Sequence, residues 1–525
     1  MAKARSGAPF LDVLPETATA YGIAAETVSY GEMAHRIRRW QAAFREAGYG
    51  EGLRVGLLLE NRPVFLEIWF ALNGLGVSVV PINPDLRASE LEYIVAHSEM
   101  TAAVVIASRK AEIEAAAKAA SRAIPVMTPE DTVAAPFDGA RAAVAGTPDT
   151  ECALLYTSGT TGRPKGCVLT NEYFLYSGEW YRDVGGLISL KSEGERMLTP
   201  LPVFHMNAMA VSVMAMVTVG GCLIMLDRFH PRSWWDQVRE SRATCLHYLG
   251  VMPSILIAAP ASERDRDHHV RFGFGAGVDR RLHAAFEERF GFPLLEAWAM
   301  TETGSGATIC ANVEPRKIGT SCFGRAPESV EIRIAGDDGT ECCDDTPGEL
   351  LVRHAGANPR LGFFREYLKD SAATAEAWQD GWFHTGDIVS RDADGDLHFV
   401  DRKKNVIRRS GENIAAVEVE SVLNRHPLIR QAGVAAVADP IRGEEVAALI
   451  VAVDADAGQD AAEMIVSWAL EQMAYYKVPG WIAFVERIPL TATEKIQRAG
   501  LKAMATERLD AGGFLDFRHR KKRQV

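Results

Sequence analysis

The stretch Leu154-Leu-Tyr-Thr-Ser-Gly-Thr-Thr-Gly-Arg-Pro-Lys-Gly166 is an apolar run followed by small, hydroxylated and cationic residues. Ala153–Tyr156 reads as a buried strand that launches a loop. The glycines free the backbone to curl, so that successive N–H groups can converge on one anion. Thr157, Ser158, Thr160 and Thr161 add hydroxyl donors, and Lys165 adds a cation. Composition alone also fits a plain surface turn. The loop is not of the Walker type, which requires Gly-Lys-Ser/Thr. Here Pro164 precedes Lys165 and Gly166 follows it, and Asn171 reads as the cap of the next helix.

On either side of this loop the chain alternates between strand and helix. Ser29-Tyr-Gly-Glu32 has the spacing of a capping box and opens an amphipathic helix to about Ala47. Arg54–Leu59 reads as a buried strand, Pro63–Leu75 as a helix begun by proline and Val77–Ile82 as a strand. Helical Ala88–His97 and strand-like Ala102–Ile106 continue the pattern. After residue 197 it resumes, with strands at Met197–Leu201, Cys222–Leu226, Cys245–Leu249, Val270–Phe274 and Leu294–Trp298. Between these lie a helix to about Val219 and another from Pro231. Such alternation implies sheets with helices on their faces. From about residue 320 short strands and Gly, Asp and Pro turns suggest a β-rich subdomain. A charged junction, Asp401-Arg-Lys-Lys404, precedes a helix near Val417–Asn424 and strands near Ala432–Val437 and Ala447–Val453. A long helix across 461–476 and a strand at Trp481–Val485 complete that part. The expected fold is therefore α/β: a large N-terminal domain over 1–400, a hinge at 401–404 and a small α+β lid over 405–525.

The chain as a whole has 525 residues, too many for one ordinary core. Its 57 basic and 69 acidic residues leave a net charge of -12, which argues against general nucleic-acid binding. A bound anion must then meet a local cluster of donors. The basic run Arg518 to Arg523 reads as a solvated terminus. The eight cysteines contain no C-x-x-C pair and no metal spacing, which fits free thiols in a reducing cytosol. The first residues, MAKARSGAPF, lack the apolar core of a signal peptide. Val211–Leu226 is too short for a membrane span and is broken at Gly220-Gly221. We expect a cytoplasmic protein.

The run Tyr156–Gly166 resembles the phosphate loop of the adenylate-forming superfamily, which holds acyl-CoA synthetases, luciferases and peptide-synthetase adenylation domains. Further stretches resemble its other motifs in the same order. They are Pro202-Val-Phe-His-Met-Asn207, Gly275-Ala-Gly277, Trp298-Ala-Met-Thr-Glu-Thr-Gly304 and Phe383-His-Thr-Gly-Asp387. Asp401-Arg-Lys-Lys404, Arg409-Ser-Gly-Glu-Asn-Ile414 and Pro489-Leu-Thr-Ala-Thr-Glu-Lys-Ile-Gln-Arg498 complete the series. The resemblance covers roughly residues 20–505.

The resemblance implies a reaction in two halves. A carboxylate attacks the α-phosphorus of ATP to give acyl-AMP and pyrophosphate, and the thiol of CoA then displaces AMP. Carboxylate and triphosphate repel each other, so the site must neutralise charge and hold the groups in line. By resemblance Thr157, Ser158, Gly159, Thr160, Thr161, Gly162 and Lys165 would cradle the β- and γ-phosphates. Thr301 would contact the α-phosphate, and Glu302 would hold Mg²⁺, a hard cation suited to oxygen ligands. Gly275, Ala276, Gly277, Trp298, Ala299 and Met300 would form the adenine site, with Trp298 and Ala299 in place of the family's usual tyrosine and glycine. Asp387 would accept hydrogen bonds from the ribose hydroxyls, and Arg402 would donate to the same sugar. Lys495 would bridge the attacking carboxylate and the α-phosphate, although Glu494 stands beside it where the family has glycine. Lys404 matches the hinge about which the lid turns. Gly411 matches the glycine past which the thiol arm runs, with Arg408 or Arg409 near the CoA phosphates.

His205, beside Phe204, would lie where the acid enters. Phe204-His205-Met206-Asn207 lacks the aspartate with which amino-acid activators hold an amino group, so ligation to CoA is favoured over peptide synthesis. Within the ligases the motifs look nearest to crotonobetaine/carnitine–CoA ligases. A small or medium-chain acid, including a carnitine-like one, is the expected substrate. The alternatives are an aromatic acid, another acceptor for the adenylate, and a non-catalytic nucleotide-binding regulator. The expected partners are the acid, ATP and CoA, with a homodimer possible and no nucleic acid or membrane span.

Overall fold

The structure is a computed structural model that describes residues 3–157, 163–336, 338–402, 406–454, 457–489 and 496–523. The chain folds into two compact units. One comprises Met1–Pro84, Val95–Leu155 and Gly166–Asp401; the other comprises Asp85–Ile94, Tyr156–Lys165 and Arg402–Val525.

Two large sheets organise the first part of the chain. In the eight-stranded sheet the order is Ile309–Cys310, Leu294–Trp298, Phe272–Ala276, Cys245–Leu249, Arg196–Thr199, Cys222–Met225, Pro9–Val13 and Glu26–Ser29. From Leu294–Trp298 to Pro9–Val13 neighbours run parallel, and the two edge strands are antiparallel. The seven-stranded sheet runs Glu366–Tyr367, Lys165–Thr170, Glu151–Thr157, Ser78–Pro81, Arg54–Leu58, Ala102–Val105 and Val126–Met127. Its parallel strands Ser78–Pro81, Arg54–Leu58 and Ala102–Val105 are nearly unbroken apolar runs, as strands buried on both faces are. One continuous core joins residues of both sheets, including Trp69, Phe174, Tyr181, Met209 and Phe272. The β-rich subdomain is a six-stranded antiparallel sheet built around Gly348–His354 and Trp382–Arg391. In the second unit a sheet of six strands is centred on Gly443–Ala452.

Local sequence rules account for some helix boundaries. Ser29 caps the helix Tyr30–Glu46 by accepting the Glu32 N–H at 3.1 Å, as its spacing suggests. Three readings need correction. Asn171 is the first residue inside the helix Asn171–Asp183, whose N-cap is Thr170, and its amide donates instead to the Thr147 carbonyl at 2.9 Å. The helix expected across 461–476 spans Gln459–Gln472, and the tyrosines after it face the second core. The basic C-terminal run is not a solvated tail: the Lys521 side chain is fully buried. All eight cysteines are free, most are buried, and Cys343 is exposed. Among the described residues no helix is long and apolar enough to cross a membrane.

Candidate active site

The strands of the eight-stranded sheet end in the segments that carry the site. Leu294–Trp298 delivers Trp298 and then the turn Ala299–Gly304. Phe272–Ala276 delivers Gly275–Gly277 beside it, paired in parallel with Leu294–Trp298. This is where parallel sheets place their ligands, past the carboxyl ends of the strands.

Trp298 and Asp387 meet although they are far apart in sequence. The indole N–H donates to Asp387 Oδ2 at 2.8 Å, and both side chains are buried. Asp387 lies within the strand Trp382–Arg391, where its own N–H donates to Thr385 Oγ1 at 3.0 Å. Thr385 in turn donates to the Leu350 carbonyl at 2.6 Å. The neighbouring Gly386 N–H donates to Glu349 Oε1 at 3.0 Å. The candidate ribose acceptor is thus fixed by backbone on one side and by the candidate adenine residue on the other.

Thr301 and Glu302 are held with similar economy. Tyr173 donates its hydroxyl to the Thr301 carbonyl at 2.9 Å. Tyr367 donates to Glu302 Oε1 at 2.8 Å, and the Phe364 N–H donates to the Glu302 carbonyl at 2.8 Å. Glu302 is buried, as a metal-binding carboxylate in a closed site should be. One hard carboxylate oxygen donor fits Mg²⁺, which takes one or two protein carboxylates and completes its shell with water and substrate phosphates. Burial and the nearby Glu302 charge push the Tyr367 phenol far above its ordinary range, so it stays a donor at every working pH.

A second buried carboxylate carries no family motif. Glu296, two residues before Trp298 and on the same face of the strand, accepts from the N–H groups of Gly277 at 2.9 Å and Val278 at 2.8 Å. Tyr248 donates to it at 3.3 Å. Burial pushes its carboxyl up, while the donors hold the loop Gly275–Val278 against the strand end. A signal for it exists in the sequence, since a lone acid in the apolar run Leu-Leu-Glu-Ala-Trp has to find buried donors. Tyr367 and Tyr173 have no such signal, because nothing local marks them as partners of the turn after Trp298. Gly250 is required by the same loop: a Cβ there would lie 1.6 Å from the Gly277 carbonyl oxygen.

His205 opens a helical segment of unusual pitch. Its ring lies 4.7 Å from that of Phe204, and its carbonyl accepts the Met209 N–H at 3.0 Å. Residues Asn207–Val213 form a π-helix that continues as the α-helix Met214–Val219. The wider turn coincides with a buried polar chain. Ser212 Oγ lies 2.7 Å from His247 Nδ1, and Tyr181 Oη lies 3.0 Å from His247 Nε2. Burial pulls the His247 imidazole down to about 3, so it is neutral at neutral pH. The α-helical ladder loosens where Ser212 is drawn to the sheet, a usual origin of π segments near functional sites.

The remaining sequence candidates lie on other segments. Thr157 ends the strand Glu151–Thr157, and Lys165 begins the strand Lys165–Thr170. Ser158, Gly159, Thr160, Thr161 and Gly162 lie outside the described residues, as do Lys404 and Lys495. Arg402 ends the strand Leu397–Arg402. Gly411 sits at φ +91° in the turn between Val406–Arg409 and Glu412–Ala415. Asp392, Asp394 and Asp396 form a further acidic group, but the Lys317 ammonium already bridges them at 2.5, 2.8 and 3.2 Å and Arg325 adds a second cation on Asp396 at 2.9 Å.

The family model described as AMP-binding enzyme matches residues 13–367, and that of the AMP-binding enzyme C-terminal domain matches 418–495. The chain belongs to the AMP-binding enzyme family. A crotonobetaine/carnitine–CoA ligase of Salmonella typhi is 31% identical over 490 residues, covering 90% of this chain and 93% of that protein. Among solved structures, o-succinylbenzoate CoA synthetase of Bacillus subtilis superposes with a TM-score of 0.81 at 24% identity, over 96% of this chain and 97% of that one. The amide bond synthetase McbA of Marinactinospora thermotolerans gives 0.80 at 23% identity, over 95% and 98%. A malonyl-CoA ligase bound to methylmalonyl-CoA and AMP gives 0.73 at 24%, over 92% and 96%. Family membership together with the match to a CoA ligase over nine-tenths of both chains supports the reaction class: ATP-dependent, AMP-forming ligation of a carboxylic acid to CoA. ATP and CoA are its co-substrates, and Mg²⁺ is typical of the family.

Proposed function

We propose that the protein activates a small or medium-chain carboxylic acid, carnitine-like acids included, and that Trp298, Asp387, Thr301 and Glu302 are the nucleotide-binding wall of its site. The observation that carries this reading is the buried Trp298–Asp387 hydrogen bond. It joins the strand end that bears Thr301 and Glu302 to the strand that bears the ribose acceptor. In this reading the indole face and the loop Gly275–Gly277, with Ala299 and Met300, receive the adenine. Asp387 accepts from the ribose, with Arg402 as a second contact.

One carboxylate oxygen of the acid attacks the α-phosphorus, and pyrophosphate leaves with the electrons of the broken P–O bond. Thr301 donates to the α-phosphate, and the loop Thr157–Lys165 holds the departing pyrophosphate. When bound at Glu302, Mg²⁺ offsets phosphate charge. Lys495 supplies the cation between the two anionic reactants, which otherwise repel. In the second half the thiol sulfur attacks the acyl carbon past Gly411, and AMP leaves. The hinge at 401–404 lets the lid over 405–525 serve both halves in turn.

The acid lies along His205 and the π-helical segment in this reading. Met206, Ala208, Met209 and Val211 there are buried and uncharged, and His247 behind them is neutral, so this wall suits an apolar chain and sets no positive charge against a carnitine-like one. The relative that ligates crotonobetaine or carnitine supports a short acyl group. The setting is taken to be cytoplasmic, and a homodimer is compatible with the reading. The test is a panel of short, branched, carnitine-like and aromatic acids with ATP, Mg²⁺ and CoA, read as acyl-CoA by mass. Turnover of aromatic acids alone would replace the small-acid reading. Pyrophosphate release without acyl-CoA would point to another acceptor, as the amide bond synthetase among its structural neighbours suggests.

A further inference from the structure

The C-terminal run Arg518–Arg523 looks from sequence like a free basic tail, yet it is fastened at nearly every residue. The strand Leu515–Asp516 pairs with Trp481–Phe484, and buried Phe517 donates its N–H to the Gly480 carbonyl at 2.8 Å. Arg518 lies 4.1 Å above the Trp481 ring and bonds Asp439 at 3.1 Å and Asp516 at 2.7 Å. Arg520 reaches Ser467 at 3.1 Å. Lys521 then turns inward, and its ammonium bonds Glu445 Oε1 with neither side chain exposed.

The same carboxylate has a second cationic partner. Arg409 Nε donates to Glu445 Oε2 at 2.7 Å, and the Val446 N–H donates to Oε1 at 2.9 Å. Arg409 is the last residue before the turn Ser410-Gly411, whose two residues both have positive φ, +51° and +91°. Both central residues of a tight hairpin turn adopt that sign, but serine does so only under outside restraint. The restraint is visible: the Ser410 N–H donates to the Arg442 carbonyl at 3.0 Å, and Arg409 is held through Glu445. Gly480 makes room, since a Cβ there would lie 2.7 Å from the Glu445 carboxyl carbon.

We propose that Lys521 is a positioning residue for the thioester-forming half-reaction, gripping Glu445 opposite Arg409 and so fixing the Ser410-Gly411 turn. The assignment rests on the reading that the thiol passes this turn. Two cations on one buried carboxylate leave a surplus positive charge in the interior. Burial, with Arg409 next, pulls the Lys521 ammonium down to about 7. A buried ion pair adds little net stability over an apolar pair of the same shape, so what this one contributes is the geometry it holds.

The test compares Lys521→Met with the wild type in two separate assays. Acid-dependent exchange of pyrophosphate into ATP reports adenylation, and conversion of supplied acyl-AMP by CoA reports the second half. The expected result is exchange within about twofold of wild type and a KM for CoA raised about tenfold, with kcat changed less. Glu445→Gln, which releases both cations, should give a larger effect of the same kind. Equal loss in both assays, or none in the second, would overturn the proposal. Gly411→Val separates the two readings: if it leaves the thiol step unchanged, the turn is not the thiol path and the Lys521 assignment falls with it. If Gly411→Val slows that step while Lys521→Met does not, only the Lys521 assignment fails.

Discussion

The Trp298 indole N–H and Asp387 Oδ2, 2.8 Å apart in the interior, are coupled across 89 positions of sequence. The bond ties the Asp387 carboxylate to the strand end that carries Thr301 and Glu302, and it leaves the indole an aromatic face beside its polar edge.

Trp298→Phe keeps an aromatic face and deletes the donor. Asp387 then keeps a charge in the interior with one bond fewer, a loss of about 1.5–3 kcal/mol for a charged acceptor. Part of that should appear in nucleotide binding, as a KM for ATP raised about tenfold in pyrophosphate exchange. The KM for the acid should move much less. Equal changes in both constants would show that the ring, not its N–H, matters.

Tyr367→Phe tests the restraint on Glu302. The phenol donates to Oε1, so its loss weakens the hold on the carboxylate. The Mg²⁺ concentration for half-maximal pyrophosphate release should rise several-fold, with a stability loss of about 1 kcal/mol in urea titration. An unchanged Mg²⁺ requirement would remove Glu302 from the metal or Tyr367 from Glu302.

Much of this site is written locally and some of it is not. The glycines at 277 and 411, at φ +81° and +91°, announce themselves because their backbone geometry is a property of a few neighbouring residues, whereas Gly275 is required by the distant Tyr248 carbonyl, 2.2 Å from where its Cβ would stand. Thr301 and Glu302 follow directly from the strand end that carries Trp298. Tyr173, Tyr367 and Tyr248 are invisible in sequence, since a buried hydroxyl that serves a distant carbonyl or carboxylate leaves no periodic trace. The C-terminal run misleads for the opposite reason. Charge density suggests solvent, but Glu445 waits inside for Lys521, and Asp439 and Trp481 wait for Arg518. The π-helix at Asn207–Val213 reads as an ordinary helix in sequence because its cause, the Ser212–His247 bond, spans 35 positions.

Gly250→Ala tests a contact of backbone against backbone. The added Cβ would fall 1.6 Å from the Gly277 carbonyl oxygen, so one of the two loops must move by more than an ångström. Displacing Gly277 strains its bond to Glu296 and shifts the proposed adenine loop. The KM for ATP should rise by at least about tenfold, and overpacking should cost about 1–3 kcal/mol of stability. Normal ATP kinetics in a folded variant would show that Gly275–Gly277 does not contact the nucleotide.

His247 gives stability a definite pH dependence. Its imidazole is held near 3 in the folded chain by burial, against 6.5 for an unperturbed group. As pH falls below 6.5 the unfolded chain takes up a proton that the folded chain refuses. Stability therefore drops toward acid, by up to about 1.4 kcal/mol for each pH unit. The window from pH 6.5 to 4.5 precedes most carboxylate titration, but His97, His268 and His426 are also depressed and add slopes of the same sign. His247→Gln isolates the contribution, because glutamine does not titrate yet can still bond Ser212 or Tyr181. Urea unfolding across that window should give the wild type a steeper loss than the variant, by close to one proton at the acid end. Parallel curves would mean that His247 titrates alike in the folded and unfolded chains, and the burial that holds it neutral below pH 6.5 would be refuted.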